Sequence, residues 1–228
     1  MKMTNVLETY LPNLMNYQDE FVKAVWQTVE MVIRSGVIAF VIGITLGVIL
    51  VVTREDGILE NKLVYQILDK STNLLRSIPF VILITFIAPL TRIIAGTSIG
   101  IDGAIVPLVI GCVPFLMRQV DMALSDIDAG LIEAATAMGV SPLGIIFRVY
   151  LKESIPALVR ATTITIVSLI GLTAMAGIVG GGGLGDFVTR YGHARYMHDI
   201  TNVSVLVILI MISVVQGLGT IIIKKTTH

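Results

Sequence analysis

The chain has 228 residues, of which 55% are hydrophobic and 14% are charged, and its mean hydropathy is +0.89. Soluble domains carry about 25% charged residues, so lipid is the expected solvent for much of this chain. The formal net charge of +0 indicates no nucleic-acid partner, and the single cysteine, Cys112, excludes a disulfide framework within the chain. The first twenty residues lack the basic lead and apolar core of a signal peptide, so the first apolar span is expected to direct insertion.

Five apolar segments predict an all-α integral membrane protein with five transmembrane helices. Helix is the default because backbone groups in lipid must pair internally, and the segments lack the alternation typical of barrel strands. The second and third fall short of about 20 residues, so their flanks are expected to contribute. The segments run from about Val22 to Val52, Ile78 to Leu90, Gly103 to Met117, Ala161 to Val179, and Ile200 to Ile223.

The distribution of lysine and arginine predicts the orientation of these spans. With five crossings, one side holds ten of these residues and the other holds five, leaving out Arg34 within the first span. The richer side is expected to be cytoplasmic. The N-terminus is therefore predicted outside and the C-terminus inside, and the segment between the third and fourth spans is predicted to be cytoplasmic.

Local features refine the helices. Residues Arg54 to Arg76 show helical apolar spacing and predict an amphipathic lead-in to the second span. Gly43 and Gly47 predict a close helix contact in the first span. Four prolines are expected to kink or shorten the second and third helices, namely Pro79, Pro89, Pro107 and Pro114.

Charged groups within the spans are few. Arg34 and Asp102 are expected near the membrane interfaces, where their charges can reach water. The spans hold no carboxylate pair and no arginine ladder, which argues against a proton-driven pump or a voltage sensor.

The segment from Leu131 to Val159 is too structured for a plain cytoplasmic loop. Asp126 and Asp128 suit the start of a helix over LIEAATAM, and Gly139 suits its end. Ser141 and Pro142 then predict an N-cap and first turn for a second helix through LGIIFRVYLKE, with a bend at Pro156. Such a narrow helical hairpin suits insertion into a groove on another protein, although an interfacial or re-entrant hairpin fits the same pattern.

Two patterns resemble chemical sites but favour structural roles. The run GGGGLG, Gly180 to Gly185, follows a membrane span rather than a strand, so it predicts a tight turn or a broken helix end. No lysine in the chain directly follows a glycine, which excludes a Walker A motif in this sequence. His193 and His198 lack the spacing and further ligands of a zinc site, and no catalytic constellation points to an enzyme.

The run Glu133-Ala134-Ala135, followed by Gly139, resembles the EAA loop of binding-protein-dependent ABC importer permeases. That family's pattern continues with an aliphatic position and then Leu-Pro, whereas Lys152 stands in place of the proline here. The wider sequence is similar to the methionine importer permeases of this family from about residue 22 to residue 219. The matching runs are Arg76–Phe80, Gly96–Gly100, Ala104–Leu108 and Gly182–Gly185.

The resemblance implies the type I ABC importer permease fold in a bacterial inner membrane. It implies a pore formed with a second copy, two ABC ATPase subunits, and an extracytoplasmic binding protein that delivers methionine, L or D or both. The chain itself is expected to bind no cofactor, because ATP and Mg²⁺ belong to the ATPase partner. The implied coupling residues are Glu133, Ala134, Ala135, Ala137, Met138, Gly139, Ser141 and Pro142.

The predicted organisation is an extracytoplasmic segment 1–21, a transmembrane domain 22–219 with a coupling loop 118–156, and a cytoplasmic tail 220–228. Small and apolar residues of the fourth span are candidates for the translocation path: Thr173, Ala174, Met175 and Gly177. Three alternatives remain open from the residues. They are a permease for another small amino acid or organic ion, an ATP-independent secondary transporter or channel, and a structural or assembly membrane protein.

Overall fold

The computed structural model describes residues 10–226, and every regular element within that range is helical. The α-helices are α1 (Pro12–Asn16), α2 (Gln18–Val52), α3 (Lys62–Ser77), α4 (Phe80–Phe86), α5 (Ala88–Ala95), α6 (Gly100–Ser125), α7 (Ala129–Ala137), α8 (Pro142–Ile145), α9 (Leu151–Glu153), α10 (Ile155–Ala176), α11 (Gly183–Phe187) and α12 (His198–Thr226). Three π-helical turns link some of them: Ile146–Tyr150, Gly177–Gly181 and Val188–His193.

Among residues 10–226, four helical runs are long and apolar enough to cross a membrane, namely α2, α6, α10 with the π-helical turn that follows it, and α12. They correspond to the first, third, fourth and fifth predicted spans. Helix α6 extends the short third span at both ends, as the expected contribution from its flanks requires. The predicted domain limits of 22 and 219 stay a prediction.

The second predicted span is not one continuous helix. The chain enters α4 through Pro79 in an extended conformation, and α4 ends at Phe86. Ile87 leaves the helical region with φ −90° and ψ 5°, and Pro89 lies in the first turn of α5. Proline lacks an amide N–H and clashes with the preceding turn, so each of these two prolines starts a helix rather than extending one. The amphipathic lead-in, predicted over Arg54 to Arg76, is helical only as α3 from Lys62 onward, and the Asn61 side chain caps this helix.

The expectation that proline shortens the third span is wrong. Helix α6 runs unbroken past Pro107 and Pro114 for 26 residues. Membrane helices tolerate proline because neighbouring groups re-satisfy the freed carbonyls. Half of the most apolar stretch of α6 is buried inside the chain, which gives these carbonyls such neighbours.

The chain divides into two compact units. The first consists of residues up to Gly36, Pro79–Val109 and Val167–Val214. The second consists of Val37–Ile78, Ile110–Ile166 and the residues from Val215 onward.

The glycine-rich segment of the first unit is a capped turn. Gly180, Gly182 and Gly183 have φ between +75° and +91°, a region that L side chains rarely adopt. The amide N–H of Gly183 donates to Gln27 Oε1 at 3.0 Å, and that of Leu184 donates to Thr28 Oγ1 at 2.8 Å. Side chains of α2 therefore accept hydrogen bonds from the first amides of α11. This confirms the predicted broken helix end.

Ion pairs in the two units join elements that are distant in sequence. In the first unit, Arg34 donates to Asp102 at 2.7 Å and to Glu30 at 3.0 Å, a pairing that the sequence alone does not reveal. In the second unit, Arg118 of α6 donates to Asp69 of α3 at 2.7 Å. The second pair ties the amphipathic lead-in to a membrane-spanning helix.

The glycine pair of the first span is a contact point within the second unit. A Cβ at Gly43 would lie 2.8 Å from Leu116, and one at Gly47 would lie 2.7 Å from Val120. Both partners are on α6, so the two glycines let α2 and α6 approach closely, as predicted.

We expect Gly47→Leu to destabilise the chain by about 1–3 kcal/mol, because the new side chain overpacks a closed helix contact. The matched control is Gly217→Ala, where an added Cβ meets nothing within 4 Å. Thermal melting of both variants in detergent checks this expectation. Equal melting temperatures for both would show that the glycine contact does not limit packing.

Candidate functional site

The segment Asp128–Ser154, called the hairpin below, is the best-defined candidate site. The Asp128 side chain accepts from the amide of Gly130 at 2.8 Å and caps α7. Gly139 adopts φ +75° after α7, and the amide of Val140 donates to the carbonyl of Ala135 at 3.1 Å. This is a glycine-dependent helix end of the Schellman type, so the predicted end of the first helix is confirmed.

The second arm of the hairpin starts as predicted but bends elsewhere. Ser141 Oγ accepts from the amide of Gly144 at 3.3 Å, and Pro142 occupies the first helical position. The arm stays helical through Lys152, so the missing family proline leaves no bend there. The break falls at Ser154, with φ −88° and ψ 4°, and Pro156 lies in the first turn of α10. The predicted bend at Pro156 is therefore two residues too late.

The inner face of the hairpin is fixed to the membrane-spanning helices of the second unit. Four hairpin residues are buried in one apolar cluster: Ala135, Ile145, Ile146 and Tyr150. The rest of that cluster comes from α2 and α6: Val51, Val52, Leu116, Val120 and Leu124. Ser154 Oγ adds a hydrogen bond to the carbonyl of Ala123 at 3.4 Å. Because closely packed apolar interiors resist deformation, a force on the hairpin reaches both helices.

The phenol of Tyr150 belongs to this packed face. Burial raises its pKa, and the positive charge of Arg54 acts in the opposite direction. The group stays protonated at neutral pH because its ordinary pKa of about 10 is already high.

The outer face of the hairpin carries the predicted coupling residues. Seven of the eight are exposed: Glu133, Ala134, Ala137, Met138, Gly139, Ser141 and Pro142. Large apolar side chains lie exposed beside them, with exposed fractions of 48% for Leu131, 76% for Met138, 64% for Leu143 and 65% for Phe147. Leu131, Leu143 and Phe147 were not among the predicted residues. Their signal in the sequence is the spacing of four between Leu143 and Phe147, which places both on one helix face.

The eighth predicted coupling residue, Ala135, does not lie on the outer face of the hairpin. Only 5% of it is exposed, and it packs among the buried residues of the hairpin cluster. A 3.6-residue period turns this position inward when Ala134 and Ala137 face out. Its small side chain packs against the rest of the hairpin cluster, and a contact between Ala135 and a partner stays a prediction.

The predicted path residues of α10 do not share one face. Thr173 is buried and its hydroxyl donates to the carbonyl of Ile170 at 2.7 Å. Gly177 is buried, and the backbone packs so closely that an added Cβ would lie 2.4 Å from the amide nitrogen of Asp186. Ala174 is half-buried, while Met175 has 43% of its surface exposed. Of the four, Met175 is thus the one that is freely accessible.

An exposed stripe on either side of Met175 runs along the end of α10 and into the π-helical turn that follows it. Gly171, four residues earlier, meets nothing within 4 Å of an added Cβ, and Ile178, three residues later, is 58% exposed. The spacing of four and three puts these residues on one helix face. Met175 is among the predicted path residues, whereas Ile178 is not, and the path role of all four predicted residues stays a prediction.

The long apolar helices and the capped hairpin define a multi-pass membrane protein. The model of the binding-protein-dependent transport system inner membrane component family matches residues 39–225, and the chain belongs to that family. The resemblance of the EAA run to this family is therefore confirmed. The chain is a membrane component of a transport system.

Curated relatives make the likeness more specific. The chain is 43% identical over 210 residues to the probable D-methionine transport system permease protein MetI of Vibrio cholerae, with 92% of this chain and 93% of the relative covered. It is 51% identical over 156 residues to the D-methionine transport system permease protein MetI of Salmonella typhimurium, with 68% and 72% covered.

Solved structures show the same likeness. The fold matches a chain of the MetNI methionine ABC transporter, crystallised in inward-facing conformations, with a TM-score of 0.91 and 42% identity. That match covers 93% of this chain and 99% of the other. An amino acid ABC transporter crystallised with histidines matches at a TM-score of 0.77 and 13% identity, which shows a shared fold alone.

We expect Ala135→Glu to destabilise the chain by several kcal/mol, because it buries an unpaired carboxylate in the hairpin cluster. Ala134→Glu, one residue earlier and exposed, is the matched control and should leave stability nearly unchanged. Membrane yield and thermal melting in detergent measure both effects. A stable Ala135→Glu variant would contradict the inward placement of this residue.

Proposed function

We propose that this chain is the permease subunit of an ATP-driven methionine importer, taking L-methionine, D-methionine or both from an extracytoplasmic binding protein. The observation that carries the proposal is the hairpin, with a packed inner face and an exposed apolar outer face. Support for methionine comes from the curated permeases named for D-methionine transport and from the match to the MetNI transporter. Another small amino acid or organic ion is the alternative substrate within this family.

The outer face of the hairpin is proposed to dock into a groove on an ABC ATPase subunit. Alanines at 134 and 137 keep α7 narrow, and Met138 supplies a flexible apolar tip that is 76% exposed. Exposed apolar side chains in such a cluster mark a protein contact. Glu133, Gly139, Ser141 and Pro142 shape and cap the same surface.

ATP and Mg²⁺ are proposed to bind the ATPase partners, two per complex, and not this chain. Closure of those partners would carry the hairpin with it, and the hairpin cluster would pass the movement to α2 and α6. Transport then follows from alternating access, in which nucleotide biases two conformations of the permease. The chain itself would transmit the movement through the apolar packing of the hairpin cluster.

A second copy of the chain is proposed to complete the pore in a bacterial inner membrane, with the N-terminus outside and the hairpin and C-terminus inside. The excess of lysine and arginine on one set of connections supports this orientation. Among the path candidates, Met175 with its exposed neighbours Gly171 and Ile178 is the favoured lining. A smooth thioether-bearing face suits a solute whose side chain is apolar.

Uptake of labelled methionine tests the substrate. Vesicles holding this chain and its ATPase should take up methionine only with internal ATP and external binding protein. Unlabelled L- and D-methionine as competitors rank the two forms, and an unrelated amino acid serves as the control competitor. Uptake that persists without ATP or without the ATPase would identify an ATP-independent secondary transporter or channel instead.

Ala137→Glu tests the docking role of the hairpin. We expect ATP-dependent uptake to fall about tenfold or more, because a charge would enter a closely packed protein contact. Ala194→Glu, at an exposed alanine of the first unit, is the matched control and should transport normally.

The decisive readout is capture of the ATPase subunit by the purified permease. Loss of capture with unchanged thermal melting supports docking at Ala137. Normal capture and normal uptake by Ala137→Glu would remove the hairpin from this role.

A further inference from the structure

A cavity of about 450 Å³ lies in the second unit between α2, α10 and α12 and is open at its side. We call it the groove. Phe40 of α2 and Leu218 and Ile222 of α12 line it and are 42%, 57% and 47% exposed. Leu158, Thr162 and Thr163 form its α10 wall. The groove is separate from the outer face of the hairpin and from the stripe around Met175.

The chemistry of the groove fits a hydrocarbon chain. Its lining is apolar apart from two threonines, and both of their hydroxyl hydrogens are already donated within α10. Thr162 donates to the carbonyl of Leu158 and Thr163 to that of Val159, each at 2.8 Å. The two hydroxyl oxygens can still accept hydrogen bonds, but a carboxylate would find no side-chain donor there, so binding of a zwitterionic solute would leave a charged group unpaired.

The length of the groove matches one leaflet of a bilayer. Its α10 wall extends from Ile155 to Ile166, which at the rise of an α-helix is about 16 Å. The hydrocarbon core of a bilayer is about 30 Å thick. One acyl chain from one leaflet would therefore fill the groove along its length.

Four basic residues lie close in sequence to the lining of the groove: Lys224 and Lys225 follow Ile222 on α12, Lys152 precedes Ile155, and Arg160 lies within the α10 segment. A Cβ at Gly219 would lie 2.3 Å from Thr163 Oγ1, which sets the register of α12 against α10. From that contact α12 continues toward Lys224 and Lys225, while α10 leads back to Arg160 and then to Lys152 in α9. All four are exposed, and none pairs with a carboxylate among the residues that the structure describes. The acidic neighbour on these segments is Glu153.

We propose that the groove binds an anionic phospholipid, with one acyl chain along α10 and α12 and the phosphate held by the four basic residues. Long lysine and arginine side chains keep their stems in the apolar region while their charges reach the headgroup. Basic pockets between membrane helices are suited to anionic lipid headgroups. The lipid would link the end of α12 to Lys152 in the hairpin.

Fluorescence quenching tests the site in the full-length chain, purified with whatever subunits accompany it. Phe40→Trp places a reporter in the groove, and Trp26→Phe removes the only natural tryptophan. Vesicles of brominated-chain phosphatidylcholine quench the reporter, and unbrominated phosphatidylglycerol is then titrated in. We expect phosphatidylglycerol to displace the quencher with a relative binding constant above about fivefold.

Charge removal at the groove identifies the headgroup contacts. We expect Lys224→Gln with Lys225→Gln to remove most of the phosphatidylglycerol preference. Lys62→Gln with Lys70→Gln removes the same charge from exposed positions of α3 and should leave the preference unchanged. Thr162→Phe, which narrows the groove with the charges intact, should reduce quenching by the brominated lipid.

Three results would overturn the proposal. A relative binding constant of one would show that the groove takes lipid without regard to charge. An equal effect of the control pair would show that general surface attraction produces the preference. Absence of quenching by every brominated lipid would show that protein, such as a second copy of the chain, covers the groove.

Discussion

The apolar contact between the hairpin and the ends of α2 and α6 is the interaction on which the working parts of the second unit depend. Ala135, Ile145, Ile146 and Tyr150 are buried against residues of two membrane-spanning helices. A small residue at 135 sets the distance, and the glycines at 43 and 47 let the two helices close on each other beneath it. The hairpin and these parts of α2 and α6 thus form one packed apolar cluster of the second unit.

The order of elements and their caps could be predicted from the sequence because these depend on local chemistry. Asp128, Gly139 and Ser141 occupy the cap positions expected of them, and the four long spans follow from apolar length alone. The bend beyond the hairpin could not be placed as well. The helix breaks at Ser154, whose hydroxyl donates to the carbonyl of Ala123 on α6, 31 residues away in sequence.

The sequence did not predict which side of each helix faces inward. Ala134 and Ala135 are adjacent and chemically identical, yet one is exposed and the other lies in the core. The same applies to Thr173 and Met175, where the buried residue is the more polar one. Membrane helices show little contrast between inner and outer faces, because lipid-facing and core-facing residues are both apolar. The family resemblance predicted a coupling segment but not which of its residues face inward.

The turn that begins α11 has a consequence for how the chain is made. Its first amides are satisfied by Gln27 and Thr28, which precede them by 156 residues. Ribosomes deliver α2 to the bilayer long before residues 180–187 emerge, so the acceptors are waiting when the donors arrive. This turn therefore forms late in biogenesis, and its formation depends on a helix that is synthesised near the start.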